Sequence, residues 1–298
     1  MPEVTATMSS FSPTDAAFSV FPLLKRYPRF VGLVVALSVP IGVITTVLAN
    51  RGMGEAMAAY SERVARNPNL QPEDFSAIGA LVNVPLTLLL VVFALVSSAM
   101  LTGLILRKTV LNQDPVGLGL QFASLEVRLI QANLALGAIC FLASMLVFTV
   151  LSIVAGIAGS GAAGVLMLVT LVPVVLTLLG VLLMGRLGLF GVAAAATGTL
   201  GLKAAWEISR GSFWLIVGAL LLWSIAAIVM SLLFQTVVTL VLGVSGDGAA
   251  LATSPQGLVA SALIAAFGGF TQLGTVCVGA FAWHQMQANA PRPGSGQV

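Results

Sequence analysis

The sequence contains few residues that could carry out catalysis. Its sole histidine is His284, and its two cysteines, Cys140 and Cys277, each lie within a long apolar run. Without a second histidine or a CxxC pair, the usual set of metal ligands cannot be assembled, and the cysteines are interpreted as packing residues. The P-loop, HExxH and GxSxG motifs are not found either. The sequence therefore predicts a protein that is not an enzyme and that needs no cofactor or metal.

Paired carboxylates would be another source of acid and base chemistry. Glu126 and Glu207 flank apolar segments, and each is close in sequence to an arginine, Arg128 and Arg210. We expect each acid to form an ion pair with its neighbour rather than to transfer protons. The arginines themselves have the charge and geometry for contacts with phosphate groups or with a partner protein.

The composition indicates that most of the protein surface faces lipid. Of 298 residues, 58% are hydrophobic and 8% are charged, whereas soluble domains carry about 25% charged residues. This scarcity of charge and cysteine excludes a disordered chain, a nucleic-acid-binding protein and a disulfide-stabilised secreted domain. The predicted fold class is an all-α, polytopic membrane protein.

Six apolar runs are long enough to cross a bilayer as helices. They cover residues 30–49, 78–106, 129–156, 162–184, 213–242 and 258–283. We predict a transmembrane domain over residues 30–286, an N-terminal segment over 1–29 with a short amphipathic helix, and a disordered tail over 287–298. Pro40, Pro85 and Pro173 lie inside the predicted spans, where a missing backbone hydrogen bond is expected to kink a helix.

The distribution of Lys and Arg predicts the orientation. Ten of the thirteen lie in the N-terminal segment, the second and fourth connections and the C-terminal tail. The positive-inside rule assigns these segments, and both termini, to the cytoplasm. The other three, Arg51, Arg63 and Arg66, lie in a first external connection that is acidic overall. A short amphipathic helix over residues 54–66 is expected to lie on the outer surface there.

An offset of 102 residues relates two parts of the chain. Ser12-Pro13 recurs as Asp114-Pro115, and Arg26 recurs as Arg128. Ser or Asp followed by Pro is typical of a helix start. In both copies the segment between the proline and the arginine is predicted to be a short cytoplasmic helix that precedes a membrane-spanning hairpin.

A third, less regular copy completes a predicted threefold repeat. It has Thr197 as the expected helix cap and a short helix over residues 202–210. Trp206 lies on the apolar face of this helix, where it would reach the level of the lipid headgroups. Three copies of a short amphipathic helix followed by a helical hairpin account for six spans.

The fourth connection carries a recognisable series of residues. These are Arg186, Ala205, Trp206, Ile208, Ser209, Arg210, Gly211 and Trp214. The series resembles a loop of a bacterial six-span group that includes the membrane domain of some glycerophosphoryl diester phosphodiesterases and related stand-alone proteins of unknown function. That loop has an Arg closing one span, a short helix with Ala-Trp-x-Leu-(Ser/Thr)-Arg-Gly, and a later Trp. Ile208 takes the Leu place, and Gly191-Val192-Ala193 stands where the group usually has proline.

The resemblance implies a multi-pass protein of the bacterial cytoplasmic (inner) membrane, associated with lipid or headgroup metabolism in the envelope. This chain has no phosphodiesterase domain, so the enzymatic activity is not carried over. The first hypothesis is a non-enzymatic protein that contacts anionic phospholipid, a partner protein or a second copy of itself. The residues expected to make these contacts are Arg26, Arg128, Arg186, Arg210, Trp206 and Trp214. The alternatives are a transporter of a small molecule or lipid, and an accessory or assembly subunit of a larger membrane complex.

Overall fold

The computed structural model describes residues 12–66, 72–114, 122–158, 186–243 and 254–288, together with 174, 175, 177 and 179–183. The regular elements in these ranges are all helical, which confirms the all-α class. In chain order they are α1 (Pro13–Ala17), α2 (Val20–Arg26), α3 (Pro28–Arg66), α4 (Pro72–Gly79), α5 (Val84–Thr109), α6 (Ser124–Ala158), α7 (Phe190–Thr197), α8 (Leu202–Ile208), α9 (Phe213–Leu242) and α10 (Pro255–Ala288).

Five of the helices in the described ranges, α3, α5, α6, α9 and α10, are long and apolar enough to cross a membrane. Each exceeds the roughly 20 residues that a bilayer core requires. Large apolar side chains remain exposed along α6 and α9, as expected for surfaces that face lipid. The chain is thus a helical membrane protein. The predicted span over 162–184 lies mostly outside the described residues, as does Pro173, so the six-span count stays a prediction.

Close contacts between small residues hold the centre of the bundle together. Helix α10 packs against α3, α5 and α9. Gly269 of α10 faces Ser38 of α3, and the Ser38 hydroxyl donates a hydrogen bond to the carbonyl oxygen of Ala265 at 3.0 Å. Gly274 faces the indole of Trp223 on α9 in the same way. Small residues and interhelical hydrogen bonds are the usual basis of packing where lipid surrounds a bundle.

Helix α3 is longer than the predicted first span. It runs without interruption from Pro28 to Arg66, so the predicted span over 30–49 and the surface helix over 54–66 form one helix. The prediction of a separate helix lying on the surface was therefore wrong. Glycines at 52 and 54 are mild helix breakers, each costing about 1 kcal/mol, and do not stop the helix. Pro40 lies inside α3, as predicted.

The second spanning helix begins at Val84 rather than at residue 78. Residues 72–79 form the separate helix α4, and the Asn83 side chain caps α5 by accepting a hydrogen bond from the Leu86 amide at 3.2 Å. Pro85 thus lies in the first turn of α5, where no intrahelical hydrogen bond is lost. The predicted kink at Pro85 was therefore wrong, because this proline helps to start the helix.

The short helices near the N-terminus follow the predicted start signal but not the predicted length. Ser12 caps α1, its hydroxyl accepting a hydrogen bond from the Asp15 amide at 3.2 Å, and Pro13 occupies the first turn. The segment to Arg26 is divided into α1 and α2 by a turn at Phe18 and Ser19. Helix α1 packs against α9 and α10, which anchors the N-terminal segment to the bundle.

The fourth connection contains one more helix than predicted. Thr197 is the last residue of α7, not the cap of the next helix. Helix α8 instead begins after Gly201, whose φ of +75° favours glycine. A side chain there would overlap the backbone of α7, so Gly201 allows α7 and α8 to meet closely.

The structure places the three arginines of the predicted repeat in different local settings. Arg26 ends α2, Arg128 lies inside α6, and Arg210 follows α8. Most of the second predicted short helix, residues 115–121, lies outside the described residues. The threefold repeat therefore stays a prediction.

Candidate functional site

The predicted cytoplasmic segments meet at one end of the bundle, which we call the basic end. Helix α3 begins there, and α5 and α10 end there: Lys108 Nζ lies 4.4 Å from the centre of the Tyr27 ring, and His284 Nε2 lies 3.3 Å from the Thr109 carbonyl oxygen. The described cations of these segments are Lys25, Arg26, Arg29, Arg107, Lys108, Arg128, Arg186, Lys203 and Arg210. Positive charge is thus concentrated at this end.

A cavity of about 440 Å³ opens at the junction of α2 and α3; we call it the basic cavity. Its lining residues are Arg26, Tyr27, Pro28, Arg29, Phe30, Leu33, Lys108 and Asp114. Tyr27 has a non-helical backbone (φ −133°, ψ 59°), as expected for a residue that precedes proline. This break separates α2 from α3 and places an exposed arginine on each side of Tyr27.

The charges of the basic cavity are only partly neutralised within the protein. Lys108 is 9% exposed, and its Nζ lies 2.5 Å from Asp114 Oδ1 and above the Tyr27 ring. The Arg26 guanidinium lies 5.3 Å from the centre of the same ring. Among the described residues, neither Arg26 nor Arg29 forms an ion pair within 4 Å. Two guanidinium groups therefore remain available to an anion.

The wall of the basic cavity is apolar. Phe30 is buried, and Leu33 lies one turn further along α3, within the apolar run of this helix. A cationic rim above an apolar wall matches the order of a phospholipid, in which a charged headgroup is joined to hydrocarbon. The geometry is suited to binding, and no catalytic constellation accompanies it among the described lining residues.

A second group, which we call the aromatic cluster, lies at the residues of the recognised motif. The Arg186 guanidinium lies 5.3 Å from the centre of the Trp206 ring and 5.2 Å from that of Phe213. The ring centres of Phe213 and Trp214 are 5.0 Å apart in an edge-to-face arrangement. Trp214 is 74% exposed. The structure thus brings together three of the predicted contact residues, Arg186, Trp206 and Trp214.

The other predicted contact residues lie apart from the aromatic rings. Arg210 is exposed just after α8. Arg128 is partly buried, and its Nη1 packs against Gly198 in the turn after α7. Arg26 belongs to the basic cavity. The six predicted residues therefore share the basic end but do not form one site.

The sequence predicted an ion pair between Glu126 and Arg128, but in the structure Glu126 pairs with Arg107 instead. It is fully buried, and its Oε2 accepts hydrogen bonds from Arg107 Nη2 at 2.7 Å and from the Ala123 amide at 3.0 Å. Residues two apart on a helix point in different directions, so Arg128 is turned away from Glu126. Gly103 on α5 makes room for the carboxylate, since a methyl group there would overlap Glu126 Oε1. This buried pair joins α5 to α6.

Sequence reasoning missed Arg29, Arg107 and Lys108 as site residues. They were counted only as determinants of orientation, because they lie beside apolar runs. The available signal was an arginine on either side of a Tyr-Pro break, and a second basic pair at the end of the next long helix. Only the packing of α5 against α3 and α6 shows that Arg29 and Lys108 line the same cavity and that Arg107 instead pairs with Glu126.

A separate cavity of about 240 Å³, the polar cavity, lies between α5, α6, α7 and α10. Its polar lining residues among those described are Ser98, Thr102, Asn133, Gln272 and Thr275. Gln272 Nε2 donates a hydrogen bond to Thr102 Oγ1 at 3.2 Å. Hydroxyl and amide groups of this kind hydrogen-bond uncharged polar groups. The polar residues were interpreted from sequence as interhelical packing residues, and this hydrogen bond between α5 and α10 is such a contact.

Comparison with known proteins identifies no relative from which a function could be inferred. No family model matches the chain, no curated protein sequence matches it, and no solved structure matches its fold. The resemblance in the fourth connection therefore stays a prediction from sequence. The basic cavity and the aromatic cluster are the structural basis of the functional argument.

Proposed function

We propose that the protein is a non-enzymatic, multi-pass protein of the bacterial cytoplasmic membrane that binds anionic phospholipid at its basic end. The observation that carries this proposal is the basic cavity. Arg26 and Arg29 stand at its rim without carboxylate partners among the described residues, and Phe30 and Leu33 form its wall. Arginine binds phosphate oxygens with paired N–H donors, and a neighbouring apolar surface favours a lipid over a soluble anion.

The aromatic cluster supports the same proposal from a second position. Trp206 and Trp214 are both partly exposed at the basic end, and tryptophan is favoured at the level of the headgroups. The Arg186 guanidinium contacts the Trp206 and Phe213 rings, which keeps a positive charge beside these exposed tryptophans. In the orientation that the positive-inside rule predicts, the basic end and both termini face the cytoplasm. The cytoplasmic leaflet has the more negative surface potential.

Lipid binding to the purified full-length protein tests the proposal. Native mass spectrometry would compare phosphatidylglycerol with phosphatidylcholine, for the wild type and for Arg26→Gln/Arg29→Gln. We expect the wild type to retain phosphatidylglycerol preferentially, and the double variant to lose most of this preference. Arg51→Gln, which lies 22 residues after Arg29 on α3, is the matched control and should bind as the wild type does. Equal retention of both lipids by the wild type would refute the proposal.

Reporter fusions test the orientation independently of lipid binding. Fusions after Asn112 and at the C-terminus should report a cytoplasmic location, and a fusion after Asn69 an external one. The reverse result at Asn112 would place the basic cavity on the wrong side of the membrane for this proposal. If a partner protein rather than lipid occupies the basic end, Arg26→Gln/Arg29→Gln would instead release a co-purifying protein.

The polar cavity favours a second candidate function, the transport of an uncharged polar molecule. Its hydroxyl and amide groups lie along membrane-spanning helices. A cysteine at Ser98, in a variant with Cys140 and Cys277 replaced by alanine, would be treated with a membrane-impermeant thiol reagent from each side. Transport by alternating access predicts labelling from both sides. Labelling from one side only would contradict it.

A further inference from the structure

We propose that the basic cavity selects a phospholipid headgroup with two negative charges over a headgroup with one. This inference rests on the proposed function and specifies the lipid class. It is carried by the juxtaposition of Arg26 and Arg29 across the Tyr27-Pro28 break, beside a Lys108 that is already paired.

The charge balance of the lining residues is the first step. Lys108 and Asp114 neutralise each other at 2.5 Å, and the Lys108 side chain is nearly buried. Arg26 and Arg29 are both exposed and have no carboxylate within ion-pair distance among the described residues. The cavity therefore presents two uncompensated positive charges. A headgroup with one negative charge neutralises only half of this excess, and a headgroup with two neutralises all of it.

The second step is the fixed position of the cations. Arg26 and Lys108 both lie over the Tyr27 ring, 5.3 Å and 4.4 Å from its centre. Cation–π contacts of this kind restrain charged side chains that would otherwise move freely. Arg29 follows Pro28 directly, in the first turn of α3. The two guanidinium groups therefore approach one cavity from two helices, and each can donate paired hydrogen bonds to phosphate oxygens.

The third step concerns size and surroundings. A volume of about 440 Å³ lies within the range of small-ligand sites, roughly 300–1,000 Å³. It can hold a phosphate group together with its glycerol or a second phosphate. The aromatic and aliphatic wall of Tyr27, Phe30 and Leu33 lies at the start of α3, a helix that is long and apolar enough to cross a membrane. A free phosphate ion would leave this wall without a partner, so the occupant is a lipid.

Two kinds of lipid provide such a headgroup. A phosphatidate carries a phosphate monoester, which, unlike a phosphodiester, can lose a second proton and so carry two negative charges. A diphosphatidylglycerol carries two phosphodiesters with one charge each. The shared chemistry is a double negative charge within one molecule, and the experiment separates the two sources.

The experiment titrates the purified full-length protein with phosphatidylglycerol, phosphatidate, diphosphatidylglycerol and phosphatidylcholine, at fixed pH and matched total charge. Native mass spectrometry measures the lipid bound. We expect at least one doubly charged lipid to bind about tenfold more tightly than phosphatidylglycerol, as a second charge-assisted contact would produce. If phosphatidate and diphosphatidylglycerol differ, the lipid that binds more tightly is the one the cavity prefers. If these two bind equally and more tightly than phosphatidylglycerol, the preference depends on charge alone.

Variants connect the preference to the cavity. Arg26→Gln and Arg29→Gln should each reduce the preference to about twofold while phosphatidylglycerol still binds, because one guanidinium remains. Arg51→Gln, an exposed arginine of α3 outside the cavity, should keep the full preference. Thermal melting of each variant checks that it is folded.

The outcomes separate this inference from the proposed function. If all three anionic lipids bind equally at matched charge, yet better than phosphatidylcholine, the charge selectivity is refuted and the proposed function stands. If phosphatidylcholine binds as well as the anionic lipids, both are refuted. Displacement of bound lipid by inorganic phosphate at equal concentration would refute a lipid as the occupant.

Discussion

The buried pair between Arg107 and Glu126 allows a quantitative test of the structure. Glu126 has no exposed side-chain surface, whereas Arg107 is 13% exposed. Replacing Arg107 with methionine therefore leaves a carboxylate buried with only the Ala123 amide as a donor at 3.0 Å. Replacing Glu126 with leucine leaves a cation that can extend toward water. We expect the two single variants to differ, with Arg107→Met the more damaging.

The magnitudes follow from the burial of each group. Removing one partner of a buried pair costs about 3–5 kcal/mol, so we expect Arg107→Met to cost about 3 kcal/mol. Glu126→Leu should cost about 1–2 kcal/mol, because Arg107 regains hydration. The double variant replaces the pair with two apolar side chains of similar size and should lie within about 1 kcal/mol of the wild type. The coupling between the two positions is then at least about 3 kcal/mol.

A double-mutant cycle measures this coupling. Reversible unfolding in mixed micelles, followed by tryptophan fluorescence, gives the free energy of unfolding of each variant. The exposed pair between Lys203 and Glu207, with Nζ and Oε1 3.9 Å apart, is the matched control. Pairs of that kind contribute about 0.3–0.5 kcal/mol, so its cycle should show almost no coupling.

Two results would refute this reasoning. If Arg107→Met costs less than about 1 kcal/mol, Glu126 is not buried as described. If the double variant is as unstable as the two single variants added together, the residues do not interact, and α5 and α6 are joined by other contacts.

Three further predictions follow from packing. Gly274→Ala places a methyl group inside the ring of Trp223 and should cost about 1–3 kcal/mol in the same unfolding assay. Gly137→Ala, in the interior of α6 with open space around it, should not destabilise the protein and should stabilise it by up to about 1 kcal/mol; equal destabilisation by both substitutions would show that the α9–α10 contact is looser than described. Gly201→Ala combines a positive φ with backbone overlap and should cost more than about 2 kcal/mol; a stability equal to that of the wild type would contradict the α7–α8 turn. In bilayers containing brominated lipid, a variant with Trp214 as its only tryptophan should be quenched strongly and one with only Trp223, which is 1% exposed, weakly. Equal quenching would place Trp214 away from the membrane.

The membrane-spanning helices could be predicted from sequence because their apolar runs are long, but one boundary could not. Apolar residues continue across residues 80–82, so hydropathy alone does not find the break before α5. The backbone amide of Asn83 donates a hydrogen bond to the Gly52 carbonyl oxygen at 2.8 Å, and the Thr87 hydroxyl donates a second one to the same oxygen at 3.4 Å. A contact with a helix some thirty residues earlier therefore fixes where α5 begins, and no local pattern contains it.

The candidate site was predictable only in part for the same reason. Arg186, Trp206 and Trp214 could be grouped in advance because the motif holds them within one short connection. Arg107 and Glu126 are 19 residues apart and meet only because Gly103 lets α6 approach α5. The basic cavity likewise needs the end of α5 to lie beside the start of α3. The sequence identified Arg26 as a contact residue but did not show that Lys108 of α5 lies beside it.

The length of α3 has a consequence at the end of the protein opposite the basic cavity. Helices α3 and α5 meet at Gly52 and Asn83, just after the apolar run of α3 ends. The remaining residues to Arg66 extend the helix by about 20 Å, at 1.5 Å per residue. The ion pair between Arg63 Nη1 and Asp74 Oδ1, at 2.6 Å, ties α4 to this extension as a brace. Among the described residues, the side opposite the basic cavity therefore carries a braced helical extension, in which α4 holds the last turns of α3 in place beyond its apolar run.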